Sequence, residues 1–410
     1  MINQQEIESY RLPLSTEEDW RLTPLSRLYR TAEIGGIQAL SPTKVSHEEI
    51  APYLIAGCDH LVVVDGLVDR ELSAAALHYL AAGESETIVA DYTGLARLTR
   101  EFNSPLTQLA MRAGGKNRPL QLLRVTTATA PSTQHSRMVL AIAAGVTAEL
   151  VETEISLAPQ NRTVGVAWHN HQLELHLGAG AKLNSYHQFG PAAGRQAFDT
   201  HGIAARLDSA ALWQATKVMR AESGMESGQG FIRHDIGVEL TGPEAEFNLR
   251  AIVLAENSQQ IGLSTRIQHQ SPHCRSQQSI KAISRDQSEV VMQGLIWVHP
   301  DAQQTQAHLL ARGMILPPTD GSPARGQITF KPELKIFADD VKCSHGATVG
   351  ELDREALFYL TSRGLTAMAA REILVAAFIA SALESLDQLS EPAIAAAAQR
   401  VILGGEDYAR

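Results

Sequence analysis

From about residue 118 to Phe337, apolar and polar side chains tend to alternate. Leu120-Gln-Leu-Leu-Arg-Val-Thr-Thr, His171-Gln-Leu-Glu-Leu-His-Leu, Ile261-Gly-Leu-Ser-Thr-Arg-Ile-Gln-His and Glu289-Val-Val-Met-Gln-Gly-Leu-Ile-Trp-Val carry the pattern. A period of two, rich in β-branched residues, predicts short strands with one buried face. The flanks read differently. Before about residue 105 the spacing is helical, with a capping pattern at Ser46-His-Glu-Glu and Leu and Ala at helical positions from Asp69 to Ala82. Leu61-Val-Val-Val-Asp interrupts it as a short buried strand. After Gly350 the helical pattern returns: a helix opened by Asp353 and closed by Arg363-Gly364, a long Ala-rich helix from Thr366 to about Leu386, and a third from Glu391, with Pro392 in its first turn, to about Leu403. The chain divides into an N-terminal helical region at 1–110, a β core at 111–345 and a C-terminal helical region at 346–410.

A weak repeat runs through the β core. Gly145-Val-Thr-Ala-Glu-Leu, Gly178-Ala-Gly-Ala-Lys-Leu and Gly242-Pro-Glu-Ala-Glu-Phe share a glycine, an alanine three residues on and a large apolar residue after that. Their glycines lie 33 and 64 residues apart, close to one and two units of a single period. Looser copies begin at Glu256 and Arg285. A turn, a small inward residue and a strand, repeated at that interval, fit a solenoid of stacked strands, because one coil cannot bury its own apolar side. Gly-Ala turns in an all-β sandwich are the alternative.

Composition narrows the function classes. The 410 residues are 44% hydrophobic and 20% charged, with a formal charge of −10. No run of Lys and Arg supplies the basic surface that a phosphate backbone requires, so nucleic acid is not an expected partner. The three cysteines, Cys58, Cys274 and Cys343, are far apart and form no CxxC pair, which points to reduced thiols and a cytoplasmic setting. The polar N-terminal stretch lacks the regions of a signal peptide. The longest apolar run, Ile373 to Ala380 and its flank, is shorter than the about 20 residues that cross a bilayer.

The candidate chemistry centres on Asp339 to Gly350, DDVKCSHGATVG. Residues two apart on a strand point the same way, so an extended Val341 to Gly346 sends Cys343 and His345 to one side. A thiolate and an imidazole are half of a ligand set for iron or zinc; a cluster takes about four protein ligands. No second pair lies nearby in sequence, so another chain is expected to complete the site. His169 and His171 also share a strand face, with His176 following; alternation on the wet outside of a β-coil explains them, with a metal pair as the alternative. Glu149, Glu152, Glu174, Glu239 and Glu246 are scattered at strand alternations and read as a solvated face, not as the clustered carboxylates of a polysaccharide hydrolase or lyase. Cys274, flanked by His273 and Arg275 that would lower a thiol pKa, reads as a turn cysteine, and Cys58 as a packing residue. Gly114-Gly-Lys-Asn lacks the remaining residues of a phosphate loop, so any ATP is bound by another subunit. The helix from Thr366 carries two apolar stripes, Leu374 with Phe378 and Ile373 with Ala377 and Ala380; one packs inward and the second is free to meet a partner.

The segment PELKIFADDVKCSHGATVGELDREALFYLTSRGL resembles the SufB/SufD family, as do Ser276 to Lys281, Val291-Met-Gln-Gly-Leu-Ile, Ala302-Gln-Gln-Thr and, near the start, Asp19-Trp-Arg-Leu-Thr-Pro-Leu. Chain length and the CSHGATVG wording place it nearer the SufD branch; Leu309 to Phe330 departs from the family pattern. The resemblance implies a right-handed parallel β-helix between helical regions and a non-catalytic scaffold of iron–sulfur cluster assembly in the cytoplasm. It implies pairing with SufB, or a homodimer without it, and an ATPase, SufC, carried on the C-terminal helices through residues such as Leu374, Phe378 and Ile373. It further implies no stably bound cofactor, a transient iron or cluster shared with SufB, a role in iron acquisition, and His345 with Cys343 as metal ligands. A SufB-like scaffold is the neighbouring alternative.

Overall fold

The computed structural model describes residues 12–23, 25, 28–29, 44–79, 81–82, 95, 99, 106–111, 118–127, 133–157, 167–189, 197–220, 230–317 and 325–383. The predicted third helix at Glu391–Leu403 and the Gly114-Gly-Lys-Asn stretch lie outside the described residues.

The alternating segments form two sheets of parallel strands that the chain visits in turn, which makes a parallel β-solenoid. One sheet stacks Asp59–Val64, Leu120–Thr126, Thr147–Ser156, Lys182–Phe189, Leu212–Arg220, Glu246–Ala255, Arg275–Arg285, Gln306–Leu316 and Lys342–Glu351. The other stacks Leu106–Met111, Thr133–Ile142, Ala167–Leu177, Ala197–Leu207, Phe231–Leu240, Gln260–His269, Glu289–Val298 and Gln327–Ile336. Each strand pairs in register with strands one coil before and after, so equivalent residues form columns along the axis. Backbone hydrogen bonds are met between coils, which leaves the inward columns free to carry whatever side chains the space accepts.

The repeat proves to be a turn ladder. Gly145, Gly180, Ala210, Glu244, His273 and Gln304 take positive φ, and each donates its backbone N–H to the next coil's turn. The residue after each is buried: Val146, Ala181, Ala211, Ala245, Cys274 and Thr305. Gly178 and Gly242 were aligned correctly by the sequence template. Gly145 was two residues out, because Ala148 lies within a strand and Val146 fills the stacking position. Gly242 admits no side chain, since a Cβ there would sit 2.0 Å from the Ser209 backbone nitrogen. The looser copies belong to the opposite corner, where Asn257 and Asp286 take positive φ ahead of buried Gln259 and Ser288.

The two ends of the solenoid differ. At the first, Leu67–Val68 and Ala81–Ala82 add antiparallel pieces, and the helix Ala74–Tyr79 sends Ala76 into the core, so the region read as one helix from Asp69 holds a shorter one. At the last, Gln327–Ile336 and Lys342–Glu351 are the terminal strands of their sheets. Around the outside, Trp20 and Thr23 of the predicted Asp19–Leu25 element cover Arg233: the guanidinium stacks 3.7 Å from the Trp20 ring centre and hydrogen-bonds the Thr23 hydroxyl, while Asp19 pairs with Arg266 at 2.7 Å. The helix Arg354–Ser362, capped by Asp353, leads through Gly364 to the helix Ala367–Leu383. Among the described residues no helix is long and apolar enough to cross a membrane.

Candidate functional site

Cys343 and His345 stand on the terminal strand opposite Ala307 and Leu309, both buried in the core. They therefore continue the inward columns at the point where stacking stops. Cys343 is half-buried against the core and His345 is exposed. Burial pushes the Cys343 thiol up, which favours its protonated form. Ser344 faces the other way and meets His308 Nδ1 at 2.8 Å. Among the described residues neither Cys343 nor His345 belongs to a group of three or more metal donors. Apolar side chains around this end are left open: Phe337 is 58% exposed and Val349 45%.

The two apolar stripes of the helix Ala367–Leu383 separate as the spacing implied. Leu374 and Phe378, with Val375 and buried Ile379, pack on Ile252, Leu254, Ile283 and Leu316 on the outer face of the solenoid. Lys281 fastens the helix by hydrogen-bonding the Phe378 carbonyl. Ile373, Ala377 and Ala380 face outward, and Phe358, Tyr359 and Met368 are exposed beside them. Of the three candidate partner residues, Ile373 is thus on the open side, and Leu374 and Phe378 are engaged with the solenoid.

Two readings of the β core are corrected. His169 and His171 do not lie on a wet outer face. They share the inward face with Leu173 and Leu175, and both rings are buried. Glu152 is not part of a solvated face either: it lies fully buried between Arg124 at 2.8 Å, His187 at 2.9 Å and His201 at 3.3 Å. Burial alone would raise its pKa; His201, Arg124 and His187 more than offset that, so the carboxylate is held well below its ordinary range. Glu174 is buried as well, in an ion pair with Arg137. Cys274 fills the turn ladder with its Sγ 3.3 Å from the Gly242 carbonyl, and burial raises its pKa, so His273 and Arg275 do not activate it. Cys58 is buried, as read.

Glu152 is one member of a polar interior that alternation hid. Across the coils one column runs Ser136, His171, His201, His234, and the facing column runs Glu152, His187, Lys217. Burial lowers His201 to about 3 and Lys217 to about 7, and pushes His234 well below its ordinary value. Histidines recurring at the coil interval, His171, His201 and His234, were the available signal; a period of two shows that residues share a face and not which face is dry.

Comparison with known proteins fits this architecture. The family described as SUF system FeS cluster assembly, SufBD core domain, matches residues 124–378. The chain belongs to the SufB/SufD family. The SufB/SufD core so matched runs from Arg124, inside the solenoid, to Phe378 in the docked helix. The iron–sulfur cluster assembly protein SufD of Escherichia coli is 27% identical over 405 residues, covering 95% of this chain and 89% of that protein. An iron–sulfur cluster assembly SufBD family protein of Synechocystis is 27% identical over 411 residues, covering 93% and 84%. These relatives support a role for this SufB/SufD member in iron–sulfur cluster assembly and participation in the SUF complex.

Proposed function

We propose that this chain is a non-catalytic scaffold subunit of the SUF system that pairs with a SufB-type subunit through the open end of its solenoid. A nascent cluster is then the cargo held between the two chains, with His345 and Cys343 supplying this side of the ligand set. The observation that carries the reading is the position of the pair: two donors at the end of the inward columns, on a terminal strand, beside exposed Phe337 and Val349. Unpaired strand edges and exposed apolar side chains attract a partner strand, and two ligands are too few for a cluster on one chain. A SufC-type ATPase is assigned to the outward stripe of the C-terminal helices, where Ile373, Met368, Phe358 and Tyr359 are exposed.

The test is reconstitution. His345→Ala should abolish cluster formation on the complex with SufB and SufC, read anaerobically by visible absorption and Mössbauer spectra, while the subunits still co-purify. Unchanged iron loading and client maturation in that variant would overturn the assignment. Ile373→Asp should weaken retention of the ATPase and leave the pairing with SufB intact.

A further inference from the structure

A second donor cluster lies inside the solenoid, several coils before the open end. Glu154 and the pair His169 and His171 come from facing sheets, one strand in each, and point into the same interior space. One Glu154 oxygen, Oε1, stands 3.6 Å from His169 Nδ1 and 3.8 Å from His171 Nε2, and the three donors lie within 4.8 Å of one another. Both separations are too long for hydrogen bonds. They match a bridging ion: two bonds of about 2.1 Å at a tetrahedral angle put their donor atoms about 3.4 Å apart.

The surroundings point the same way. The three side chains are 5–7% exposed, yet Glu154 Oε2 and His169 Nε2 have no hydrogen-bond partner. Buried polar atoms left in that state are costly, and a bound ion is one of the things that explains them. Asp199, the register partner of His169 on the next coil, has a buried Oδ1 in the same condition. Arg124, the cation stacked beside Glu154 in register, hydrogen-bonds Glu152 at 2.8 Å, and the groups that face Glu154 Oε1 are the two imidazoles. Ser136 Oγ meets His171 Nδ1 at 2.6 Å and accepts from Arg124 at 3.4 Å, so the Nδ1 side of the ring is engaged and Nε2 is the nitrogen that faces Glu154. An outer partner on the second ring nitrogen is the usual device for orienting a ligating histidine.

We propose that Glu154, His169 and His171 form a binding site for a divalent first-row transition ion inside the solenoid, separate from the Cys343–His345 pair. Two imidazoles and one carboxylate select Fe(II), Co(II) or Zn(II) over Mg(II) and Ca(II), which take oxygen ligands. Three protein ligands leave coordination positions open.

The full-length chain, stripped with chelator and handled anaerobically, is titrated with Co(II) and read by visible d–d absorption and equilibrium dialysis. One tightly bound equivalent is expected in the unmodified chain and in His345→Ala and Cys343→Ser. Affinity should fall about tenfold or more in Glu154→Gln and His171→Gln. Absence of a bound equivalent in the unmodified chain, its survival in both interior variants, or its loss on changing His345 would each overturn the site. A measurement on the unmodified chain guards against a variant that fails to fold: pulsed EPR of bound Cu(II) should count two imidazole ligands, and a count of none or one overturns the assignment.

Discussion

In the column that begins at Leu122, the earlier coils present Glu152, His187 and Lys217 inward, and the later coils present Ala251, Ile280 and Ala311 at the same place. The facing column changes in step, from His171, His201 and His234 to Leu263, Met292 and Phe330. Backbone and register are alike in both halves. A solenoid therefore tolerates a charged interior where charges answer one another, since the backbone needs nothing from the interior. Charge inside a fold is a poor source of stability, because desolvation opposes the pairing energy. Six charged or titratable groups on successive coils, three in each column, line the coils that hold the proposed donor cluster, and a ligand explains them better than packing does.

The difference can be broken most severely by exchanging the halves. Ile280→Glu puts a carboxylate in the Glu152 column with no Arg124, His187 or His201 beside it. It should cost about 3–5 kcal/mol or prevent folding, measured by denaturant unfolding. Arg124→Met in the polar half strips Glu152 of its cation and should cost about 3 kcal/mol by the same measurement; a loss under about 1 kcal/mol would mean that water already solvates this interior.

Acid should act next, on the buried histidines. Burial lowers His135, His201 and His269 to about 3, against about 6.5 in the unfolded chain. Between those values the unfolded state binds protons that the folded state refuses, so stability is fully present above about pH 6.5 and is lost as pH falls toward 3. Each histidine contributes up to about 1.4 kcal/mol per pH unit. The slope from urea unfolding at successive pH values should shrink by one histidine's share in His201→Asn.

Substitutions at the open end and in the turn ladder mark the small extreme. Cys274→Ala should cost about 1 kcal/mol or less, since alanine already fills the same ladder position at residues 181, 211 and 245. His345→Ala, exposed on the terminal strand, should change stability by less than about 0.5 kcal/mol. A larger loss on thermal or urea unfolding of the isolated chain would place His345 in the core and contradict its position at the column's end.

The chain's own pattern determined a good deal. Period-two alternation determined the strands, Asp353 and Gly364 determined the limits of a helix, and the spacing of Leu374, Phe378 and Ile373 determined two faces of the next one. It also put Cys343 and His345 on one side of a strand. All of these are local consequences of backbone geometry, fixed by residues a few positions apart. Tertiary structure alone decided which side of each strand was dry. His169 and His171 alternate with polar neighbours as a surface pair would, and only stacking against Ser136, Asp199 and the facing Glu154 puts them inside. It likewise decided that Cys343 and His345 end a column rather than sit within one, because the end of a solenoid is defined by the coil that does not follow. Burial in a stacked fold is set by residues one coil away, about 30 positions along the chain, beyond the reach of any local pattern.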